Sequence, residues 1–527
     1  METVDSARLA SNLLTLPTLL GVSLCALVFA IIRSYVSWNA RSRGLPLPPG
    51  PRPLPLVGSL LNWPKSPQWV AFRDMCAKYG DVLYFDLLGT PTIILGSPSA
   101  MLELLDKRAA NTSSRSTGPM LLLTGMETNF GSMPYGSCWR LHKRVFWQEF
   151  HPGAVRLHLP AQRKASRMFL GKLLKSPSKL RKHVRFTFFA AILKAILGVD
   201  VAGDDEALLD VVEAALEWRG EALLPGKYLV SAIPILQYVP PWFPGATVQR
   251  LSVYWRSTVA RLKEECHRCV EKSNGEDCAG SRMIARMEAE KRPAELAEEV
   301  IKNVLHTAIE AGSDTASQMF STLQSFFLAM SLYPEVQRRA QAELEAVVGT
   351  TRLPDFDDIG SLVYVSALIR EVLRWHNVAP LGAPHMTVED AEFRGYFIPA
   401  GTNVFPNVAC MHDPDIYADP DVFRPERFIH DGKLDFSTAP DPAMFIFGFG
   451  RRICPGRYFA ENGLFINVAA VLHVFDITPP VDENGRVIKI EPQLTYGSIW
   501  CLSCGLSLYY QAPIGTSGGA DPRSAIV

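Results

Sequence analysis

The chain has 527 residues, of which 48% are hydrophobic, and its 53 Lys plus Arg are balanced by 53 Asp plus Glu. Zero net charge without a basic stripe argues against nucleic acid as a main partner, and ten cysteines spread over this length exclude a secreted disulfide scaffold and suit a reducing compartment. The hydrophobic content fills a sizeable core, in one large domain or in up to about three.

The first predicted element is Leu13 to Ile32, twenty residues without a charge, the length that crosses a hydrocarbon layer. Arg33, Arg41 and Arg43 follow it, whereas Glu2, Asp5 and Arg8 precede it. The positive-inside rule then leaves residues 1–12 lumenal and the bulk of the chain cytoplasmic. A cleaved signal peptide would have a shorter apolar run after a basic segment, and a buried core helix is an odd use of an extreme terminus. The expectation is a single-pass anchor over 13–32, with the body on the cytoplasmic side of the endoplasmic reticulum, where the sequon at Asn111 stays unmodified. Residues 33–58 form a basic, proline-rich hinge, and "LPLPPGPRPLPLV" from Leu45 is stiff and extended.

The body, residues 59–510, shows no repeat and no second low-complexity linker. Strand patterns occur early, in "DVLYFDLLG" from Asp81 and "TIILG" from Thr92. Long helical periods fill the middle, the longest from about Ala294 to about Met330, with a charged helix after Pro334. Strand signals return at Phe393 to Val404 and in "SIWCLSCGLSLYY", before a Gly-, Pro- and Ser-rich tail, 511–527, expected to be disordered. The predicted fold class is mostly α with small β-sheets (α+β), in one large domain.

Chemistry concentrates at Phe447 to Arg457, "FGFGRRICPGR". Its glycines suit close approach of backbone to a bulky object, and Pro455 suits the first position of a following helix. A thiol at a helix N-terminus beside Arg451 and Arg452 is pushed toward thiolate, either as nucleophile or as metal ligand. Glu371 and Arg374 in "LIREVLRW" share one helix face, and their apolar flanks point to a buried pair that needs further partners. Gly312 interrupts the longest helix at about 1 kcal/mol against alanine. Either it allows a tight helix crossing, or it makes room for a diatomic ligand beside Asp314 and the Thr315 hydroxyl, a proton-delivery pair. Trp139, in "WRLHKRVF", combines an indole N–H with nearby cations suited to carboxylates.

Taken together these segments resemble the cytochrome P-450 family. "FGFGRRICPG" matches its haem signature through Phe447, Gly450, Arg452, Cys454 and Gly456, and "PERF" from Pro425 matches another of its motifs. The resemblance implies the cytochrome P-450 fold, one haem b with Cys454 as proximal ligand to iron, and a structural network of Glu371, Arg374 and Arg427. It implies oxygen activation at Gly312, Asp314 and Thr315. It also implies haem propionates held by Trp139, Arg452, His385 and either Lys143 or Arg144, because the family's usual arginine position holds Lys143 and Arg144 follows.

The resemblance is closest to membrane-bound eukaryotic members, especially fungal ones, which take NADPH electrons from a separate flavoprotein reductase, with cytochrome b5 a further candidate donor. No GxGxxG fingerprint is present, since Gly448 and Gly450 precede Arg451, Arg452 and Ile453. The loop from Gly118, Ala308 and Ala311, and "VAPLGAP" from Val378, offer an apolar lining, so the expected substrate is an apolar small molecule, terpenoid-like by resemblance. A haem-thiolate isomerase or dehydratase, and a non-enzymatic haem carrier or sensor, are the alternatives. Asp314 and Thr315 count against both. Zinc sites drawn from Cys266/Cys269 and Cys501/Cys504 lack knuckle glycines.

Overall fold

The structure is a computed structural model that describes residues 21–511, with interruptions at single positions and, at greater length, at 202–209, parts of 213–226 and much of 480–508. Within the long central helix the backbone is continuous, but the side chains of 313–318 and 320 are outside the described set. The predicted anchor lies largely, and the predicted tail almost wholly, outside the described residues. Among the described residues no helix is long and apolar enough to cross a membrane.

Among the described residues the main helices of the body are α1 (Gln68–Tyr79), α2 (Ser137–Phe150), α3 (Leu159–Lys175), α4 (Leu180–Leu197), α5 (Thr247–Lys272), α6 (Ala279–Ala289), α7 (Ala294–Leu332), α8 (Pro334–Val348), α9 (Val363–Trp375) and α10 (Arg457–Val474). The 39-residue α7 is the spine. Its first half, Val300 to Ile309, packs in one core with α2, α4, α5 and α6. Its second half, from Met319, packs in another with α3, α4, α8, α9 and α10. Between the two lies the AGSDT stretch. Helix α10 is apolar on nearly every face from Gly463 to Val474 and is accordingly buried there.

A four-stranded sheet carries the other functional segment. Strands β1 (Val82–Leu87) and β2 (Thr90–Leu95) form a tight hairpin, whose linking residues Leu88 and Gly89 both have positive φ, at 52° and 83°, as right-handed strand twist favours. Strand β4 (Asn403–Pro406) joins β2 in parallel, and β3 (His385–Met386) pairs antiparallel with β4. This places His385 at 2% exposure, facing the interior. The predicted strands at 81–95 and 393–404 are therefore present. Of the C-terminal strand signal only Cys501–Leu502 and Tyr509–Gln511 fall among the described strands.

Candidate haem-binding site

Helix α9 supplies the first part. Glu371 and Arg374 are both completely buried and joined twice, Nε to Oε2 at 2.8 Å and the terminal nitrogen to Oε1 at 2.9 Å. The same carboxylate accepts from Arg427 Nε at 3.0 Å and from the Arg424 backbone N–H at 2.9 Å. Arg374 also donates to the Met411 carbonyl at 3.1 Å. A buried carboxylate with this many donors is compensated, so the three residues brace structure. The neighbouring Arg370 pairs with Asp441 at 3.2 Å and Glu461 at 3.0 Å, tying α9 to α10.

Cys454 sits in the loop before α10, and its N–H donates to the Phe447 carbonyl at 2.7 Å. One sequence expectation is corrected here. Gly456 caps α10, so Pro455 precedes the helix instead of opening it, and the thiol lies outside the helix and approaches its end through the Gly456 N–H. The glycines also serve the protein itself. A Cβ on Gly450 would collide with the Leu105 carbonyl and come within 2.8 Å of Ala109, while the Gly450 N–H donates to Asp106 at 3.0 Å.

Burial pushes the Cys454 thiol up, against the Gly456 N–H, Lys143 and Arg457, which corrects the expectation of a lowered pKa. Arg451 and Arg452, invoked for that lowering, turn elsewhere. Arg451 donates to the Tyr135 hydroxyl at 2.6 Å, and Arg452 is buried among carbonyls. A thiol raised by burial is a poor free nucleophile, whereas a bound metal cation supplies the charge that makes it a thiolate. The ligand alternative is the one these surroundings fit.

Beside the thiol is a cluster of cations. Arg452, 9% exposed, donates to the carbonyls of Ser113 at 2.6 Å, Met133 at 2.6 Å and Phe130 at 3.3 Å. Lys143 donates to the Ile453 carbonyl at 3.2 Å and to that of Arg451. Arg115, which sequence reasoning missed, donates to the Ala383 carbonyl at 2.8 Å. Burial, with mutual repulsion, lowers Arg452 to about 9, Lys143 to about 8 and, by burial alone, Arg115 to about 10. His385, whose Nδ1–H donates to the Thr112 carbonyl at 2.8 Å, is pushed down to about 3 by burial and then by Arg115. None of the three cations has a carboxylate ion pair among the described residues. Positive charge held out of bulk water without a counter-ion suits an anionic ligand, and a haem whose iron faced Cys454 would bring two carboxylate arms.

Two further assignments change. Arg144 turns away to Glu290 at 3.3 Å with its side chain half exposed, so Lys143 is the residue of that pair that faces the site. Gly312 makes room for the protein: its Cβ would lie 3.0 Å from Ile192 of α4, which supports the helix-crossing reading over space for a diatomic. The side chains of Asp314 and Thr315 lie outside the described set. The expected apolar lining is also reduced, since Met120 and Met126 are buried in a cluster with Trp218, Trp255 and Val259.

The cytochrome P450 family profile matches residues 48–497. The chain is 39% identical over 488 residues to the cytochrome P450 monooxygenase COX2 of Coprinopsis cinerea, covering 91% of this chain and 92% of that protein. To COX1 of the same fungus it is 36% identical over 488 residues, 90% and 93% of the two chains. To the tryptamine 4-monooxygenase of Psilocybe cyanescens it is 37% identical over 473 residues, 88% and 92% of the two.

Proposed function

The chain belongs to the cytochrome P450 family of haem-thiolate monooxygenases, and from that premise we propose that it inserts one atom of O2 into a C–H or C=C bond of an apolar, terpenoid-like small molecule. The observation that carries the site assignment is the half-buried Cys454 beside buried Arg452 and half-buried Lys143 and Arg115, three cations without a carboxylate ion pair among the described residues. Cys454 would hold the iron, while Arg115, Lys143, Arg452 and Trp139, with His385 behind them, would hold the propionates. Haem ligated by a thiolate supplies oxygen activation and favours O–O cleavage. Asp314 and Thr315 would deliver the protons that cleavage consumes, and Thr315→Ala should lower the product formed per NADPH consumed while haem content is retained.

Electrons would come from NADPH through a separate flavoprotein reductase docked at cations near the thiolate loop. Arg451 is exposed and Arg457 half-buried there, which suits an acidic partner, whereas the buried Arg452 is unsuited to docking. We place the body on the cytoplasmic side of the endoplasmic reticulum, held by an anchor at 13–32. Exposed Tyr238 (76%), Trp242 (79%) and Phe243 (50%) would make a second membrane contact, because such rings favour the interface. A relative named for tryptamine adds an aromatic amine to the substrates worth assaying. The experiment is turnover by microsomes holding the protein and a reductase, against terpenes, sterols, fatty acids and aromatic amines. A terpenoid product that requires NADPH and O2 supports the reading, and turnover confined to the other classes contradicts the substrate assignment.

A further inference from the structure

Helix α7 carries buried polar groups that the chemistry above leaves unused. His306 and Glu310 are fully buried with Nε2 and Oε2 3.4 Å apart, and the Asn129 side-chain amide donates to the same Glu310 oxygen. Asn129 itself is 2% exposed. One residue on, the Phe130 N–H donates to Thr307 Oγ1 at 3.3 Å, and that hydroxyl donates to the Asn303 carbonyl at 2.7 Å. Burying a carboxylate and an imidazole in a helix interface is costly unless partners compensate them, and apolar residues would pack the same interface without that cost. The arrangement holds something in place.

What it holds is the turn 129–133. Asn129 closes that turn, its carbonyl accepting from Ser132 at 2.9 Å and Met133 at 3.0 Å and its side-chain oxygen from the Gly131 N–H at 2.8 Å. The other carbonyls of the turn point to the cations. Phe130 and Met133 accept from Arg452 at 3.3 and 2.6 Å, and Gly131 accepts from Arg115 Nε at 3.3 Å. A continuous chain of hydrogen bonds thus runs from Glu310, the residue before Ala311, through Asn129 to the two arginines.

We propose that Glu310 is a positioning residue: through Asn129 it fixes the 129–133 turn, whose carbonyls aim Arg452 and Arg115 at the haem propionates. This rests on the reading that those arginines receive the propionates. Outer partners of a ligand set are worth roughly 10- to 100-fold in affinity for the bound group, and the effect should appear in haem retention before it appears in chemistry.

The test is the rate of haem transfer from the full-length holoenzyme to excess apomyoglobin. Glu310→Gln should lose haem roughly tenfold faster than the unsubstituted protein, while the CO-bound Soret band keeps its thiolate position. Leu344→Ala, a core truncation in α8 at 0% exposure, should lower the melting temperature and leave haem loss unchanged. Equal haem loss in Glu310→Gln and the unsubstituted protein, or equal acceleration by Leu344→Ala, overturns the proposal. If Glu310→Gln does not fold, Thr307→Val, which removes the acceptor of the Phe130 N–H, is measured instead. Faster loss then supports the proposal, and unchanged loss overturns it. An unsubstituted protein that binds no haem would instead overturn the haem assignment beneath it.

Discussion

The guanidinium of Arg452 stands over the indole of Trp139, 4.5 Å from the ring centroid, and Lys143 stands 5.2 Å from the same centroid. One indole on α2 thus gathers two cations, Lys143 from its own helix and Arg452 from the loop before α10, and neither has a carboxylate ion pair among the described residues. Cation–π attraction softens their repulsion, but burial still lowers both. They are held ready for negative charge supplied from outside the chain.

The first prediction separates two adjacent cations. Lys143→Met should speed haem loss severalfold, because it removes a half-buried charge that the propionates would neutralise. Arg144→Met should leave haem retention unchanged and stability little altered, since it breaks only a solvent-screened pair with Glu290. Haem-loss kinetics of the two variants in parallel decide it, and the reverse order would return the role to Arg144.

The second concerns Glu371. Glu371→Gln leaves Arg374 and Arg427 buried without their counter-charge, and removing one partner of such a network costs about 3–5 kcal/mol. Thermal unfolding should show a large fall in melting temperature with little holoprotein recovered. A variant as stable as the unsubstituted protein would remove the bracing role.

Gly312 offers the third. Gly312→Ala should destabilise despite the gain of about 1 kcal/mol in helix propensity, because the new methyl meets Ile192 at 3.0 Å. Adding Ile192→Val, which removes the Cδ1 contact but keeps Cγ2 at 3.1 Å, should restore part of the melting temperature and, with it, the product formed per NADPH. Restored stability with product yield still low would reinstate the oxygen-space reading of this glycine.

The fourth is a pH dependence. Burial lowers His376 and His412 from 6.5 to about 4, with His412 acting on His376 and Arg374 on His412 as weaker causes. Both stay neutral in the fold, while the unfolded chain takes up protons near pH 6.5. The unfolded state therefore binds more protons below that value, and stability falls as pH drops from about 6.5 toward about 4. Equilibrium denaturation across this range should show the loss, and His412→Gln should flatten it. A flat profile for the unsubstituted protein would contradict the burial argument.

Much of the site was readable before any coordinates. The glycine-rich cysteine loop, the Glu371–Arg374 spacing with its apolar flanks and the 3.6-residue period of α7 each carry local information. The choice between Lys143 and Arg144 stayed open in the sequence, and it is the fold that turns Arg144 to Glu290 and Lys143 to the Arg451 and Ile453 carbonyls. The start of α10 was misread because Gly456, rather than the residue before Pro455, takes the capping position. Arg115, Asn129 and Glu310 had no local signal. Their partners come from remote segments, as do Leu105 against Gly450 and Ile192 against Gly312, so their roles exist only once the chain has folded.

The most direct test of the central claim supplies isotopically labelled O2, NADPH and a flavoprotein reductase to the full-length protein with a terpenoid substrate, and follows the label by mass spectrometry. The account predicts one labelled oxygen atom per product molecule, with no product from the Cys454→Ser variant. Product that forms without label would contradict oxygen insertion and favour an isomerase or dehydratase built on the same site.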